Sequence, residues 1–394
     1  MSTPTATAPM NSQPSLSDEV LGYLDRGLAL PRKFYTDGDL YAQELQAVFG
    51  RQWLYAGHVS QVPNAGDYLT LDMGNESAIV VRDRDGEIHA LLNVCRHRGA
   101  RLVDEPCGKL RRLVCPYHQW SYHHDGTLAG APRMPESFDK SQFPLKRVHS
   151  AIWNGLIFVN FSAEPEDSLS SLLGDSSQLM EPFDIASAKI AHTETYEVAA
   201  NWKLVWENSQ ECYHCNANHP EFIRTFDLSA MGTPDVAPVR SFTDDRRMQF
   251  GSFPLKTGAV SLTMTGEPAS RLLLGSFSGG LEHYTAATHL KPGFAAVFSP
   301  DYGIVFTDTP TGVDSTQVTV QWFVHHDAVE GVDFQIDDVT RVWDQTNRQD
   351  WELCRLVQQG VRSDGFEPGP LSLDETSVAG FYYSYARMMS AAGL

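Results

Sequence analysis

The sequence has few basic residues and no long apolar run, and each deficit excludes a class of protein. It contains 30 Lys and Arg residues against 49 Asp and Glu residues, which leaves a formal net charge of −19. A chain this acidic lacks the positive field with which proteins bind nucleic-acid phosphates. No stretch approaches the roughly 18 uninterrupted apolar residues that a membrane span needs. We therefore expect no nucleic-acid partner and no membrane partner.

Cysteine is also scarce, and the N-terminus lacks the features of a secretory signal. Six cysteines in 394 residues are too few for a disulfide scaffold, so clustered cysteines are interpreted as ligands or buried thiols. The first 17 residues are rich in Ser, Thr and Pro, without the basic start and apolar stretch of a signal peptide. The sequence therefore predicts a cytoplasmic protein with a disordered N-terminus, residues 1–20.

Apolar residues, by contrast, are abundant enough for a sizeable core, since 42% of the chain is hydrophobic. Helical spacing of apolar residues up to position 53 gives way to short alternating runs separated by Gly, Asp, Asn and Pro. Strands, including 260–264 and 272–277, and a helix over about 335–359 are expected later. We predict an α+β fold in which a small antiparallel β domain (54–162) is inserted into a larger domain. The helical residues 21–53 and the helix-covered antiparallel sheet of 163–394 form that larger domain.

Two matched half-sites lie within the predicted β domain. They read C-x-H at Cys95 and His97, then seventeen residues, then C-x2-H at Cys115 and His118. A structural zinc site is the alternative, but zinc half-sites typically pair like ligands. Mixed halves suit a [2Fe-2S] cluster with two cysteines on one iron and two histidines on the other. Two ferric irons, two sulfides and two thiolates sum to zero charge, so such a cluster accepts an electron readily.

A second group of candidate ligands follows in the larger domain. Glu211 and His214 are three residues apart and would share a face of a helix. His214 and His219 are five apart, so they converge on one ion only if the helix loosens or ends near 216–218. Asp350 interrupts the apolar stripe of the late helix, where an ionised carboxylate is costly unless a cation accompanies it. Two histidines and one carboxylate form a ligand set of oxygen-activating non-haem Fe(II).

Each member of this second group also has an ordinary structural interpretation. His214 and His219 are compatible with histidines at a helix end, and Asp350 with a buried ion-pair partner. Their co-occurrence with the first group favours the metal interpretation, because an electron carrier and an oxygen-activating iron complement each other chemically.

Over about residues 30–390 this layout resembles the α subunits of Rieske non-haem iron oxygenases. Segments 201–222, 322–334 and 365–372 resemble the branch with glycine betaine monooxygenase, stachydrine demethylase and choline monooxygenase. The resemblance implies a Rieske [2Fe-2S] cluster on Cys95, His97, Cys115 and His118. It also implies a mononuclear non-haem Fe(II) on His214, His219 and Asp350.

The resemblance further implies a catalytic role for Glu211 and a set of partners. Glu211 takes the place of a family aspartate that links the cluster of one subunit to the iron of the next, which requires a head-to-tail homotrimer. O2 and a small-molecule substrate would meet at the iron. No G-x-G-x-x-G fingerprint occurs, so electrons are expected from an NAD(P)H-dependent flavin/iron–sulfur reductase.

The branch oxidises carbons attached to a cationic nitrogen, and aromatic faces hold such cations. The candidate cage residues are Tyr213, Phe222, Phe226, Phe250 and Phe253. A quaternary ammonium compound is therefore the expected substrate, to be hydroxylated or N-demethylated. Two other hypotheses remain: a Rieske oxygenase of an aromatic or other apolar substrate, and a non-catalytic iron–sulfur electron carrier.

Overall fold

The computed structural model describes residues 14–174, 176–230, 241–281 and 284–394. The described chain has the predicted α+β fold, with antiparallel sheets and covering helices. Its α-helices are α1 (Leu16–Leu24), α2 (Lys33–Thr36), α3 (Gly38–Ala47), α4 (Leu169–Leu173), α5 (Ser176–Met180), α6 (Trp202–Ser209), α7 (Cys215–Asn218), α8 (Ile336–Val361) and α9 (Thr376–Ala391). Among the described residues, no helix combines the length and the apolar character that a bilayer crossing requires.

The strands fall into a small domain and a large sheet. Those of the small domain are β1 (Leu54–His58), β2 (Asp67–Met73), β3 (Glu76–Arg82), β4 (Ile88–Leu92), β5 (Cys107–Lys109), β6 (Leu113–Val114), β7 (Ser121–Tyr122), β8 (Leu128–Gly130), β9 (His149–Trp153) and β10 (Leu156–Asn160). Those of the large sheet are β11 (Lys189–Val198), β12 (Ser241–Phe242), β13 (Met248–Gly251), β14 (Ala286–Leu290), β15 (Phe294–Phe298), β16 (Gly303–Gly312) and β17 (Ser315–Val324).

The small domain begins and ends on neighbouring strands. Its sheets have the orders β1-β10-β9, β4-β3-β2-β5 and β6-β7-β8. The first strand pairs antiparallel with the last long one, Leu54 opposite Val159 and His58 opposite Leu156. The chain therefore enters and leaves this domain side by side, an arrangement that suits an insertion into a larger unit.

The large sheet carries the helices that position the candidate site. Within the described residues its order is β11-β17-β16-β15-β14-β13-β12. Helix α6 packs against β16 and β17, and helix α8 packs against α6 and β11. The face between helices and sheet contains the largest fully buried side chains, among them Trp202, Trp206 and Trp322.

A buried ion pair attaches α6 to the N-terminal helices. Lys203 on α6 and Glu44 on α3 are both fully buried, with Nζ 2.7 Å from Oε1 and 2.8 Å from Oε2. Burial lowers the pKa of Lys203, and the Glu44 charge offsets part of that effect. The Trp202 indole donates a further hydrogen bond of 2.9 Å to the same carboxylate. Because the pair is satisfied on both sides, removing one partner would leave a buried charge uncompensated.

Three features differ from the sequence predictions. Residues 1–13 of the expected disordered N-terminus lie outside the described residues, but α1 already begins at Leu16. A capping box between Ser15 and Asp18 starts this helix, and Val20 is buried where α1 packs on α9. The predicted strands 260–264 and 272–277 are wrong, because both segments are irregular. Leu262 and Leu274 in these segments are buried without joining a sheet, so an apolar run was mistaken for a strand.

Candidate active site

Two loops of nearly identical backbone carry the first group of candidate ligands. The Cys95 N–H donates a hydrogen bond of 2.9 Å to the Ala100 carbonyl, and the Cys115 N–H donates one of 2.8 Å to the Trp120 carbonyl. Each loop thus returns to its cysteine after five residues. The same pattern of two backbone hydrogen bonds closes each loop, so the C-x-H and C-x2-H spacings produce one local structure twice.

Each loop needs one residue with a left-handed backbone. In the first loop this residue is Gly99, with φ 74°, and in the second it is Gln119, with φ 60°. Their N–H groups donate to the cysteine carbonyls at 3.0 and 3.1 Å. Gly99 and Gln119 therefore occupy the same place in the two loops, four residues after the cysteine.

The four side chains of these loops come together at the tip of the small domain. Cys95 and Cys115 are 2% and 1% exposed, and the rings of His97 and His118 lie 4.6 Å apart. His118 Nδ1 is buried and, within the described chain, lacks a hydrogen-bond partner. Two buried thiols beside two imidazoles, one with an unpaired nitrogen, fit the mixed ligand set of a [2Fe-2S] cluster.

Two aromatic residues support this tip. The Trp120 ring stacks on His97 with centroids 4.8 Å apart and an interplanar angle of 6°. The Tyr122 hydroxyl lies 3.3 Å from Cys95 Sγ and accepts a hydrogen bond of 3.1 Å from the Arg96 N–H. Because that hydroxyl accepts from Arg96, its own proton is available for donation to the cysteine sulfur.

The second group of residues converges around a break between two helices. Helix α6 ends at Ser209, and His214 and His219 flank the four-residue α7. His214 Nε2 lies 3.1 Å and His219 Nε2 3.0 Å from the same oxygen, Asp350 Oδ1. The expected helix end near 216–218 is present, since α7 ends at Asn218, and an additional break separates α6 from α7 after Ser209. Glu211 and His214 therefore meet across a turn, not on a helix face.

Neighbouring groups orient His214 and Asp350. Glu211 forms a short contact with His214 Nδ1 and accepts from the His214 N–H at 3.3 Å, so it acts on the side chain and the turn together. The Asn208 amide donates a hydrogen bond of 3.1 Å to Asp350 Oδ1. Since a carboxylate can only accept, the Nδ1 proton points to Glu211, and Nε2 is the nitrogen that would bind a cation held by Asp350.

A second chain of hydrogen bonds orients His219, and sequence reasoning missed it. His219 Nδ1 is 2.8 Å from Gln349 Oε1, and Gln349 Nε2 donates at 2.9 Å to Glu221. The carboxylate fixes which end of the Gln349 amide faces the ring. The sequence offered one signal for this support: Gln349 is adjacent to Asp350, and Glu221 lies two residues after His219. Support of this kind is typical of metal-binding histidines.

The electrostatics of this group suit a cation. Burial lowers the pKa of His214, but hydrogen bonds with Asp350 and Glu211 outweigh it and raise that pKa to about 9. Burial raises the pKa of Asp350, but the two imidazoles reverse the effect and lower it. His219 Nε2 is buried and, in the described part of the chain, has no well-directed hydrogen bond. Two imidazole nitrogens and a carboxylate oxygen around one point fit a non-haem Fe(II) ligand set.

These residues open onto a cavity of about 550 Å³, a volume in the range of small-molecule sites. Of the candidate cage residues, Phe222, Phe226, Phe250 and Phe253 line it. Tyr213 does not, and it is 67% exposed. The prediction for Tyr213 is therefore wrong, because the turn after Glu211 directs its ring to the surface. Further aromatic lining comes from Trp206, Phe306, Trp343 and Trp351.

A disulfide also lines the cavity. Cys212 and Cys215 are bonded, with Cα atoms 4.9 Å apart. The sequence suggested ligands or buried thiols at clustered cysteines, so the pair is a departure from that expectation. Cys215 lies close to His214 and His219, but in the disulfide its sulfur is not available as a thiolate ligand.

Comparison with known proteins identifies relatives across the whole chain. Residues 185–391 match the family "Ring hydroxylating alpha subunit (catalytic domain)" and residues 52–149 match "Rieske [2Fe-2S] domain". The chain is 36% identical over 403 residues to the glycine betaine monooxygenase oxygenase subunit of Pseudomonas aeruginosa, which covers 97% of this chain and 94% of that protein.

Two solved structures have similar folds, each with a TM-score of 0.74. One is a quaternary ammonium Rieske monooxygenase in complex with L-carnitine, 22% identical and covering 96% of this chain and 99% of that one. The other is naphthalene 1,2-dioxygenase from Rhodococcus sp. bound to indole, 20% identical with the same coverage. At these identities the likeness establishes the fold alone.

Proposed function

Because the chain belongs to the ring-hydroxylating α subunits of Rieske oxygenases, we propose that it hydroxylates or N-demethylates a quaternary ammonium compound with O2. Members of this family are oxidoreductases with a Rieske [2Fe-2S] cluster and a mononuclear non-haem iron. The observation that carries the proposal is the convergence of His214, His219 and Asp350 at an aromatic-lined cavity. The relative of 36% identity that acts on glycine betaine supports the substrate class.

We assign the cluster to Cys95, His97, Cys115 and His118, and the iron to His214, His219 and Asp350. When bound, the cluster supplies electrons and the iron centre activates O2. The protein's part is to hold the imidazoles in one tautomer through Glu211 and Gln349 and to fix the Asp350 carboxylate through Asn208. The aromatic lining excludes water and presents ring faces to a cationic nitrogen. If a methyl carbon on nitrogen is hydroxylated, the resulting carbinolamine releases formaldehyde and the demethylated amine.

Glu211 is the proposed link between subunits of a homotrimer. Its carboxylate already contacts His214 Nδ1, and a second contact to His118 of a neighbouring subunit would connect the two centres. Exposed aromatic residues support an interface at both places, since Tyr117 beside His118 is 57% exposed and Tyr213 beside Glu211 is 67% exposed. A tip that contacts a different surface on the next copy forms a head-to-tail interface, which closes into a ring when three copies complete a full turn.

The reductase is the remaining proposed partner. An oxygenase subunit of this family requires an external electron donor, and we propose an NAD(P)H-dependent flavin/iron–sulfur protein.

The substrate class is tested by aerobic turnover of iron-replete enzyme with a supplied reductase. One panel holds betaines, choline and carnitine, and a matched panel holds aromatic hydrocarbons and benzoates. We expect substrate loss and formaldehyde from at least one ammonium compound. Oxidation confined to the aromatic panel would contradict the proposal and favour the second candidate, for which the aromatic lining of the cavity is the supporting observation.

The link between subunits is tested by complementation. Cys115→Ser removes a cluster ligand and Asp350→Ala removes an iron ligand, so each variant alone should be inactive. Coexpressed and purified as mixed oligomers, they should recover part of the activity, because one subunit keeps the cluster and its neighbour keeps the iron. Mixed oligomers without recovery would refute transfer between subunits. Glu211→Gln should retain both metals and slow turnover severely.

A further inference from the structure

An acidic side chain that the sequence did not single out lines the same cavity. Asp308 lies on β16, two residues after Phe306, so both side chains point to the sheet face that borders the cavity. Asp308 is 8% exposed. Within the described residues, no hydrogen bond or ion pair reaches its carboxylate; its backbone N–H donates to the Gly293 carbonyl at 3.0 Å.

Asp308 lies on a strand that packs against the helix supporting the candidate iron ligands. Helix α6 packs against β16, which carries Asp308. The Asn208 amide on α6 donates a hydrogen bond to Asp350. Asp308 and Asp350 line the same cavity.

A carboxylate in such surroundings is costly without a partner of opposite charge. Burial raises the pKa of Asp308 to about 7, so near neutral pH the ionised form is substantially populated. The described lining of the cavity contains no Lys and no Arg, and its basic side chains are His214, His219 and His289. The first two already face Asp350. A cation that enters the cavity would therefore be the partner that Asp308 lacks.

We propose that Asp308 is the anionic part of a subsite for the substrate's cationic nitrogen, and that the cavity prefers ammonium compounds without a carboxylate over zwitterions. The proposal rests on the proposed function and specifies its substrate class. A quaternary nitrogen cannot donate a hydrogen bond, so it is held by charge from Asp308 and by ring faces such as Phe306. A zwitterion would bring its own carboxylate into a cavity that already contains Asp308, Asp350 and Glu211.

The experiment compares wild type with Asp308→Asn, which keeps the size of the side chain and removes its charge. Tetramethylammonium affinity, measured by calorimetry on the metal-loaded enzyme, should fall about tenfold or more. With choline as substrate, KM should rise by a similar factor and kcat should change little. Binding of 3,3-dimethylbutan-1-ol, the neutral isostere of choline, should be unchanged. Cluster absorbance, iron content and melting temperature verify that the variant is folded.

The control is Asp344→Asn, which removes a carboxylate on α8 that Tyr196 and Arg348 already pair with, outside the cavity. It should leave tetramethylammonium affinity unchanged. If wild type oxidises ammonium compounds but Asp308→Asn binds tetramethylammonium as wild type does, the subsite is refuted while the proposed function stands. Tighter binding of glycine betaine than of choline by wild type would also overturn the inference. If wild type oxidises no ammonium compound, the proposed function and this inference both fail.

Discussion

The two candidate metal centres use imidazoles in very different surroundings. At the tip of the small domain, His97 is exposed and its ring is held by stacking on Trp120. Below the large sheet's helices, His219 is 1% exposed and its ring is held by the half-buried Gln349 amide. An electron-transfer centre has to be reached by other proteins, whereas an oxygen-activating centre has to exclude water. The difference in exposure follows these two requirements.

The centres also differ in how the chain builds them. The candidate cluster ligands lie between positions 95 and 118, on two loops of the same local form. The candidate iron ligands come from a helix break and from a helix that starts more than a hundred residues later. Local turns therefore organise the first centre and packing of α6 against α8 organises the second.

The largest expected effect separates the centres completely. Asp350→Ala should lose the mononuclear iron and all turnover, yet retain the absorbance of the cluster and its two irons. Cys115→Ala should lose the cluster and retain the single iron. Metal analysis with visible spectroscopy measures both, and loss of both centres from either substitution would show that they are not independent.

A smaller effect concerns Gln349, the half-buried support of the iron ligand His219. Gln349→Ala should weaken iron binding about 10- to 100-fold, because His219 loses the group that orients its ring. Titration of the metal-depleted enzyme with Fe(II) measures the affinity. Gln345→Ala, at an exposed position on the same helix, is the matched control and should bind iron as wild type does.

The cluster site should respond through its potential. Tyr122→Phe removes the hydroxyl that lies 3.3 Å from Cys95 Sγ, and a donated hydrogen bond stabilises the more negative reduced cluster. Its loss should lower the midpoint potential by about 20–60 mV, the equivalent of one hydrogen bond. Protein-film voltammetry measures the shift. Tyr117→Phe, whose hydroxyl accepts from Arg98, should leave the potential unchanged.

The smallest effect distinguishes the two matched loops. Gly99 has φ 74°, and no described atom lies within 4 Å of a Cβ built there. Gly99→Ala should therefore lower the free energy of unfolding by about 1–2 kcal/mol, which is the cost of placing a residue with a Cβ in the left-handed conformation. Gln119→Gly at φ 60° should stay within about 0.5 kcal/mol of wild type, because relief of the left-handed backbone offsets the greater freedom of the unfolded chain. Denaturant unfolding, monitored by the absorbance of the cluster, measures the stability of both variants. Equal losses of stability would contradict the assignment of Gly99 and Gln119 as the left-handed positions.

Sequence reasoning succeeded where the relevant contacts are local. The spacing of Cys95, His97, Cys115 and His118 predicted paired half-sites because each lies on a loop closed by its own backbone hydrogen bonds. Helical periodicity located α8 and the inward position of Asp350. The same reasoning failed for Tyr213, since the exit direction of a turn decides which way its ring points and no periodic pattern encodes that direction.

Residue types and their spacing along the chain were enough to indicate the fold class, the two kinds of centre and the family. The tertiary structure alone decided that Gln349 and Glu221 support His219, that four of the five candidate cage residues line the cavity, and that Asp308 joins them. These features depend on strand register and on the packing of α6 against α8, which bring together side chains from distant parts of the chain. Contacts over such separations are fixed by the whole core, not by any local segment.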